Sequence, residues 1–271
     1  MFILNGIQLD WSFPNIESAF YAIKFHHKLL GYKDPCNDDI VKLMFEAAKR
    51  LSQHKVCKKK PITVEHLDIL FKKLMVNSTR TLSNVRTMVI CLLGFCGFMR
   101  YSEISNLKRC DVYFYTTHMK LFIEKSKTDI YREGSWLYIS KCDSELCPVK
   151  NLLLYLEMTK LTNNDSEEFL FRGITVTKKD KIGKLRKAVK GLSYTRMREI
   201  LLNELASIGL DKSKFGLHSL RAGGATAAAN NGVKDRLFKR HGRWKSEKAK
   251  DGYVEDDVKA LLSVTKSLGI P

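Results

Sequence analysis

The sequence predicts a mainly helical protein with one small antiparallel sheet, an α+β fold. Two observations predict it. Apolar residues recur at helical spacing along most of the 271 residues, and a single stretch, residues 112–140, changes to aromatic and β-branched residues.

In chain order, residues 16–54 hold two helical runs, Ile16–Ile23 and Ile40–Phe45, separated by the turn signal Gly31-Tyr32-Lys33-Asp34-Pro35. The basic segment from Lys55 to Pro61 reads as a linker, with Lys58-Lys59-Lys60 solvated or facing phosphate. Thr63 is placed to cap a helix running through Val64–Leu70. A long apolar helix is expected from about Leu82 to Phe98, then a break at Arg100, with Ser102 capping a short helix through Leu107. Val112–Tyr115, Leu121–Ile123 and Trp136–Ile139 are the expected strands. Helices resume near 148–160, 193–208, 218–230, 233–240 and 255–267. Two regions are expected: a partial helical region over 1–57 and a larger domain over 58–271.

Composition narrows the function classes. A formal charge of +18 and a pI near 9.6 point to a polyanionic partner. No run approaches the roughly 18 apolar residues of a membrane span, and Met1-Phe2-Ile3-Leu4 lacks a signal-peptide pattern, so a soluble intracellular protein without a membrane partner is expected. Seven cysteines form no C-x-x-C pair, so neither a zinc framework nor a disulfide scaffold is expected.

The chemistry-bearing residues concentrate towards the C-terminus. His218-Ser-Leu-Arg221 puts an imidazole and a guanidinium three residues apart, on one face if they share a helix. Trp244 is followed nine residues later by Tyr253, while upstream Arg100 closes an apolar run, where an unpaired charge is costly. Cleaving a phosphodiester without a metal needs a nucleophile, charge neutralisation on the non-bridging oxygens and a proton donor for the leaving oxygen. The Tyr253 phenol can attack once deprotonated. Arg100 and Arg221 can grip phosphate oxygens bidentately and stabilise the transition state. The Trp244 indole can donate a hydrogen bond but cannot accept a proton, so it positions and does not shuttle. Lys125 and Lys127 lie two apart and point the same way on a strand, so spacing does not choose between them. Lys239, Arg240, Arg243 and Lys245, together with Lys125, are DNA-binding candidates, and the basic stretch from Lys178 to Lys187 suits either phosphate contacts or a solvated loop. Ala222-Gly-Gly-Ala225 allows close helix packing or close approach to DNA.

These residues, in this order, resemble the tyrosine recombinase/integrase family, in particular eukaryotic mobile-element recombinases. The resemblance covers about residues 60–267 as the catalytic domain, preceded by only the later part of the usual core-binding domain. It implies a catalytic set of Arg100, Lys127, His218, Arg221, Trp244 and Tyr253, with Glu103 bracing the site. Within Ser126-Lys127-Thr128 it favours Lys127 as general acid. It also implies site-specific recombination of double-stranded DNA through a 3′-phosphotyrosyl intermediate, with no cofactor, by a homodimer on DNA and a homotetramer in synapsis. Nuclear localisation follows, with cytoplasm as the alternative. Two other readings remain open here: type IB topoisomerase-like nicking and religation, and a domesticated DNA binder without catalysis. The amphipathic segment after Glu255-Asp-Asp257 docks either on its own chain or on a neighbour.

Overall fold

The computed structural model describes residues 2–51, 58–78, 80–127, 129, 131–177 and 181–268. The chain forms two compact units, Met1–Lys58 and Lys59–Pro271.

The first unit contains helices α1 (Phe2–Gln8), α2 (Phe13–Leu29) and α3 (Asp39–Leu51). The core is small: Ile3, Ile16, Phe20, Cys36 and Ala48, with Phe20 stacked on Phe45 at 4.2 Å between ring centroids. The turn expected at residues 31–35 is present, with Gly31 in the left-handed region and Asp34 capping a 3-10 turn. Helix α1 was not anticipated: Phe2, Ile3 and Ile7 repeat over too short a window to register as periodic.

The second unit begins where the sequence suggested a linker. Its residues from Lys59 onward are not free: the Lys60 N–H donates to the Lys214 carbonyl at 2.8 Å and the Ile62 N–H to that of Ser219 at 2.9 Å. The remainder of that segment, residues 55–57, lies outside the described residues. Thr63 caps α4 (Val64–Phe71) in a reciprocal box with His66, as expected from the sequence. The central element is α5 (Leu82–Cys96), whose side chains are almost all buried, in keeping with an apolar pattern on every face. Around it pack α7 (Pro148–Thr159), α8 (Tyr194–Ser207) and α9 (His218–Asn230).

Between α5 and α7 the chain forms the short α6 (Tyr101–Ser105) and the sheet β1 (Val112–Phe114), β2 (His118–Ile123), β3 (Ser135–Ser140), antiparallel in that order. Ser102 does not cap α6. Arg100 stands at the cap position, and Glu103 accepts its backbone N–H at 2.9 Å. A two-stranded ribbon, β4 (Ile174–Thr175) and β5 (Lys184–Leu185), and the helices α10 (Asp235–Gly242), α11 (Glu247–Asp251) and α12 (Val258–Lys266) complete the unit. Strand β2 ends at Ile123, so Lys125 and Lys127 both lie on the β2–β3 loop and not on the strand that would have aligned them.

The glycines of α9 explain how the site is drawn together. A methyl on Gly224 would stand 1.9 Å from the Phe95 carbonyl oxygen, and one on Gly223 would stand 1.9 Å from that of Ile62. Backbone cannot yield as a flexible side chain can. Gly224→Ala is therefore expected to lower the unfolding free energy by about 1–3 kcal/mol, the usual range for overpacking, measurable by urea titration.

Candidate active site

Four backbone segments converge in the second unit: the turn from α5 into α6, the start of α9, the end of α10, and the turn after α11. Each delivers one or more of the residues singled out above.

The turn after α5 depends on Phe98, a non-glycine residue in the left-handed region at φ 46°. Through it the carbonyls of Gly97 and Phe98 point at guanidinium groups. Arg221, fully enclosed at 0% exposure, donates through Nη1 to the Phe98 carbonyl and through Nη2 to that of Gly242. Arg243, also left-handed at φ 54°, donates to Gly97 O at 3.3 Å, Phe98 O at 3.1 Å and His241 O at 2.8 Å.

One carboxylate joins the arginines. Glu103 accepts from Arg100 Nη1 at 2.8 Å through Oε1 and from Arg243 Nη2 at 2.8 Å through Oε2. Burial pushes this carboxyl up, but Arg243, the backbone N–H of Arg100, and the Arg100 and Arg221 guanidiniums outweigh it and hold it below its ordinary range. The bracing role expected of Glu103 has this physical form. Arg243, a DNA-binding candidate by sequence, turns inward instead; its side chain is 7% exposed and its donors serve Glu103 and the α5–α6 turn.

Over this base lie the rings. The Arg221 Cζ is 4.6 Å from the Trp244 ring centroid and 4.9 Å from that of Tyr253. The Tyr253 ring is 5.6 Å from Trp244 and 6.3 Å from His218. Thr226 of α9 secures the tyrosine turn, donating to the Tyr253 carbonyl at 3.4 Å and accepting from the Glu255 N–H at 3.1 Å. Tyr253 thus occupies the site of its own chain. Trp244 packs on Phe98 and Phe238, and its Nε1–H is buried with no acceptor among the described residues.

His218 opens α9 one turn before Arg221 and is exposed. Its pKa is depressed by desolvation and by the positive charges of Arg221, Arg100 and Lys127. Lys127, exposed on the β2–β3 loop, is thereby within electrostatic reach of the imidazole. Arg100, His218, Arg221, Trp244 and Tyr253 of the expected set, with Glu103, fall in one region, and the Lys127 charge reaches His218.

The remaining candidates divide. Lys239 pairs with Glu247, which also pairs with Lys250 at 2.6 Å. Arg240 and Lys245 are exposed, and Lys125 is half exposed with Glu124 3.3 Å away. Of the basic stretch from Lys178 to Lys187, residues 178–180 lie outside the described residues. Sequence reasoning missed Thr226 and the inward role of Arg243; His241, a neighbour of Trp244 in sequence to which no role was given, has its Nε2 2.8 Å from the Cys96 carbonyl. An arginine within Lys239-Arg-His-Gly-Arg-Trp-Lys245 carries no mark distinguishing it from its surface neighbours.

No protein-family model matches the chain. It is 27% identical over 256 residues to the integrase/recombinase xerD homolog of Selenomonas ruminantium, covering 93% of this chain and 71% of that protein. Its fold is similar to that of the integrase of the Tn1549 transposon in complex with transposon right end DNA: TM-score 0.61, 14% identity, 99% of this chain and 83% of the other. It is also similar to the XerH site-specific recombinase bound to palindromic difH substrate: TM-score 0.54, 18% identity, 77% of this chain. The chain spans 53% of the XerH chain.

The charge arrangement predicts how stability responds to pH. His218 and His241 are both held below their ordinary 6.5, so the stability of their neutral forms is complete above 6.5 and is lost as pH falls beneath it. Glu103 adds a second loss, beginning as pH falls below its ordinary 4.5. Urea unfolding across this range should give a wild-type curve falling in both windows. Glu103→Gln should be destabilised at neutral pH by about 3–5 kcal/mol, the cost of removing one partner of a buried ion pair, and should show a shallower lower window, where Glu65, Asp211 and Glu247, also held below their ordinary values, still titrate.

Proposed function

We propose that the chain is a member of the tyrosine recombinase/integrase family and a site-specific DNA recombinase acting through a 3′-phosphotyrosyl intermediate. The observation that carries the reading is the placement of the Tyr253 ring over the Arg221 guanidinium at 4.9 Å, beside His218 and within the charge cluster of Arg100 and Lys127.

In the proposed reaction the Tyr253 oxygen attacks the scissile phosphorus, and the bond to the 5′-oxygen breaks. Lys127 supplies the proton to that leaving oxygen. Arg100 and Arg221 balance the charge growing on the non-bridging oxygens. His218, neutral at physiological pH in the free protein, can hydrogen-bond the phosphate and take up positive charge as the anion arrives. A phosphotyrosyl ester retains the free energy of the bond it replaces, so rejoining to a partner strand's 5′-hydroxyl has no thermodynamic need of ATP.

The free protein is closed. Arg221 has no exposure, and its terminal nitrogens are engaged by two carbonyls. Phosphate access therefore requires the Tyr253 ring to move off the guanidinium. A donor role for Trp244 likewise requires its sealed N–H to be uncovered.

Double-stranded DNA is the proposed partner, reached through the exposed Arg240, Lys245 and Lys125. We propose a homodimer on DNA and a homotetramer in synapsis. One feature supports it: Val258, Leu261 and Leu262 of α12 are exposed. A mobile-element setting and the nucleus, or else the cytoplasm, complete the proposal.

Covalent trapping on nicked suicide duplexes tests the chemistry. Wild type should form an SDS-resistant adduct, and Tyr253→Phe should form none while binding duplex with nearly unchanged affinity. An adduct in the variant would remove Tyr253 from the mechanism. A weaker effect is expected at Thr226→Val, which loosens the tyrosine turn: adduct formation should slow roughly tenfold, matching the loss of about 1–1.5 kcal/mol of hydrogen bonding.

A further inference from the structure

The outward face of the three-stranded sheet is aromatic, exposed and unused by the chemistry above. Alternation along each strand sends Val112, Met119, Leu121, Ile123, Leu137 and Ile139 into the core. It sends Tyr113, His118, Lys120, Phe122, Trp136 and Tyr138 outward. The register makes these a continuous surface: Tyr113 faces Lys120, Lys120 faces Tyr138, and Phe122 faces Trp136. Tyr113, Tyr115, Trp136 and Tyr138 are 47%, 49%, 43% and 51% exposed. Water on that much ring surface is unfavourable unless something covers it.

The charge on this face is of one sign. None of the residues of β1, β2 or β3 is Asp or Glu, and Lys120 sits in the middle with its Nζ 3.7 Å from the Trp136 ring centroid and 6.0 Å from that of Tyr113. Lys141 follows β3 and is exposed, while Asp111, Glu124, Glu133 and Asp143 all fall beyond the strand ends. The rings are already oriented: Tyr115 and His118 stack at 4.7 Å and 10°, and Phe122 lies 4.8 Å from Trp136.

We propose that this face is a binding platform for single-stranded nucleic acid, with bases stacked on Tyr113, Trp136 and Tyr138 and phosphates met by Lys120 and Lys141. Lys120 caps one face of the Trp136 ring at 3.7 Å, so a base stacks on that face as the ammonium turns to its phosphate; an unpaired base joined to a phosphate matches both groups. A duplex offers only base edges, because its π-faces are stacked on one another. The platform uses none of the residues of the proposed reaction and would persist in a chain whose Tyr253 is inert, so it does not rest on that reaction.

The test uses the full chain as Tyr253→Phe, so that no covalent adduct can form, titrated with a short oligothymidylate and with a duplex of equal length. Single strand should bind and quench tryptophan fluorescence. Trp136→Ala and Tyr113→Ala should each weaken single-strand binding about tenfold and leave duplex affinity changed by less than about twofold. Trp136→Phe keeps a ring, so affinity should persist while the quench disappears. Persistence of the quench in that variant would assign it to Trp11 or Trp244 and overturn the proposal. Equal losses on both DNAs, or no loss on either, would also overturn it. Conversion of a concentration-dependent dimer to monomer by Trp136→Ala, with single-strand binding intact, would give the face to a second copy of the chain instead.

Discussion

The buried Glu103 carboxylate is the constraint on which the site depends. It ties Arg100 to Arg243, and through Arg243 it holds the α5–α6 turn against the end of α10. Arg221 lies in the same enclosure, with His218 and Lys127 at its rim. One carboxylate cannot neutralise that many cations. The result is a fixed positive excess in a region where water screens poorly, and burial together with Arg100 lowers the pKa of Arg221 for the same reason. Such a site is electrostatically incomplete until an anion enters it. In the proposed reaction a phosphate supplies that charge.

Holding like charges together requires backbone that cannot relax. Phe98 and Arg243, both in the left-handed region, aim carbonyls and guanidinium at one another across the turn. The contact of α9 with the Phe95 and Ile62 carbonyls leaves no space for a methyl at Gly223 or Gly224. His218 and Arg221 ride on that helix, so its depth of packing sets their height above Glu103.

How much of this was legible follows from which spacings are local. His218 and Arg221 were readable because three residues on a helix is a fixed geometry, and the helix spans 218–230 as the pattern indicated. Arg100 was readable because a charge ending an apolar run needs a partner, and Glu103 is that partner. Other features depend on contacts distant in sequence. Nothing local tells Arg243 from Arg240, yet one faces Glu103 and the other solvent. Ser102 is the better capping residue by type, but Arg100 takes the cap because its side chain is already anchored by Glu103. Lys125 and Lys127 could not be resolved by strand alternation because the strand stops before both. The short α1, α11, β4 and β5 fall below the window in which periodicity is readable.

The closed position of Tyr253 sets two requirements against each other. Stacked on Arg221, the ring shields the guanidinium and leaves the phenol proposed as nucleophile next to the group proposed to receive the phosphate. The same stacking blocks that phosphate. Thr226 holds the turn by its backbone, at the Tyr253 carbonyl and the Glu255 N–H, and makes no claim on the ring. The ring can therefore swing about its side-chain torsions while the chain stays in place. Moving the Tyr253 ring needs a rotamer change and not an unfolding of the segment. The charge excess beneath the ring supplies its driving force, because the ring screens Arg221 less well than a phosphate would.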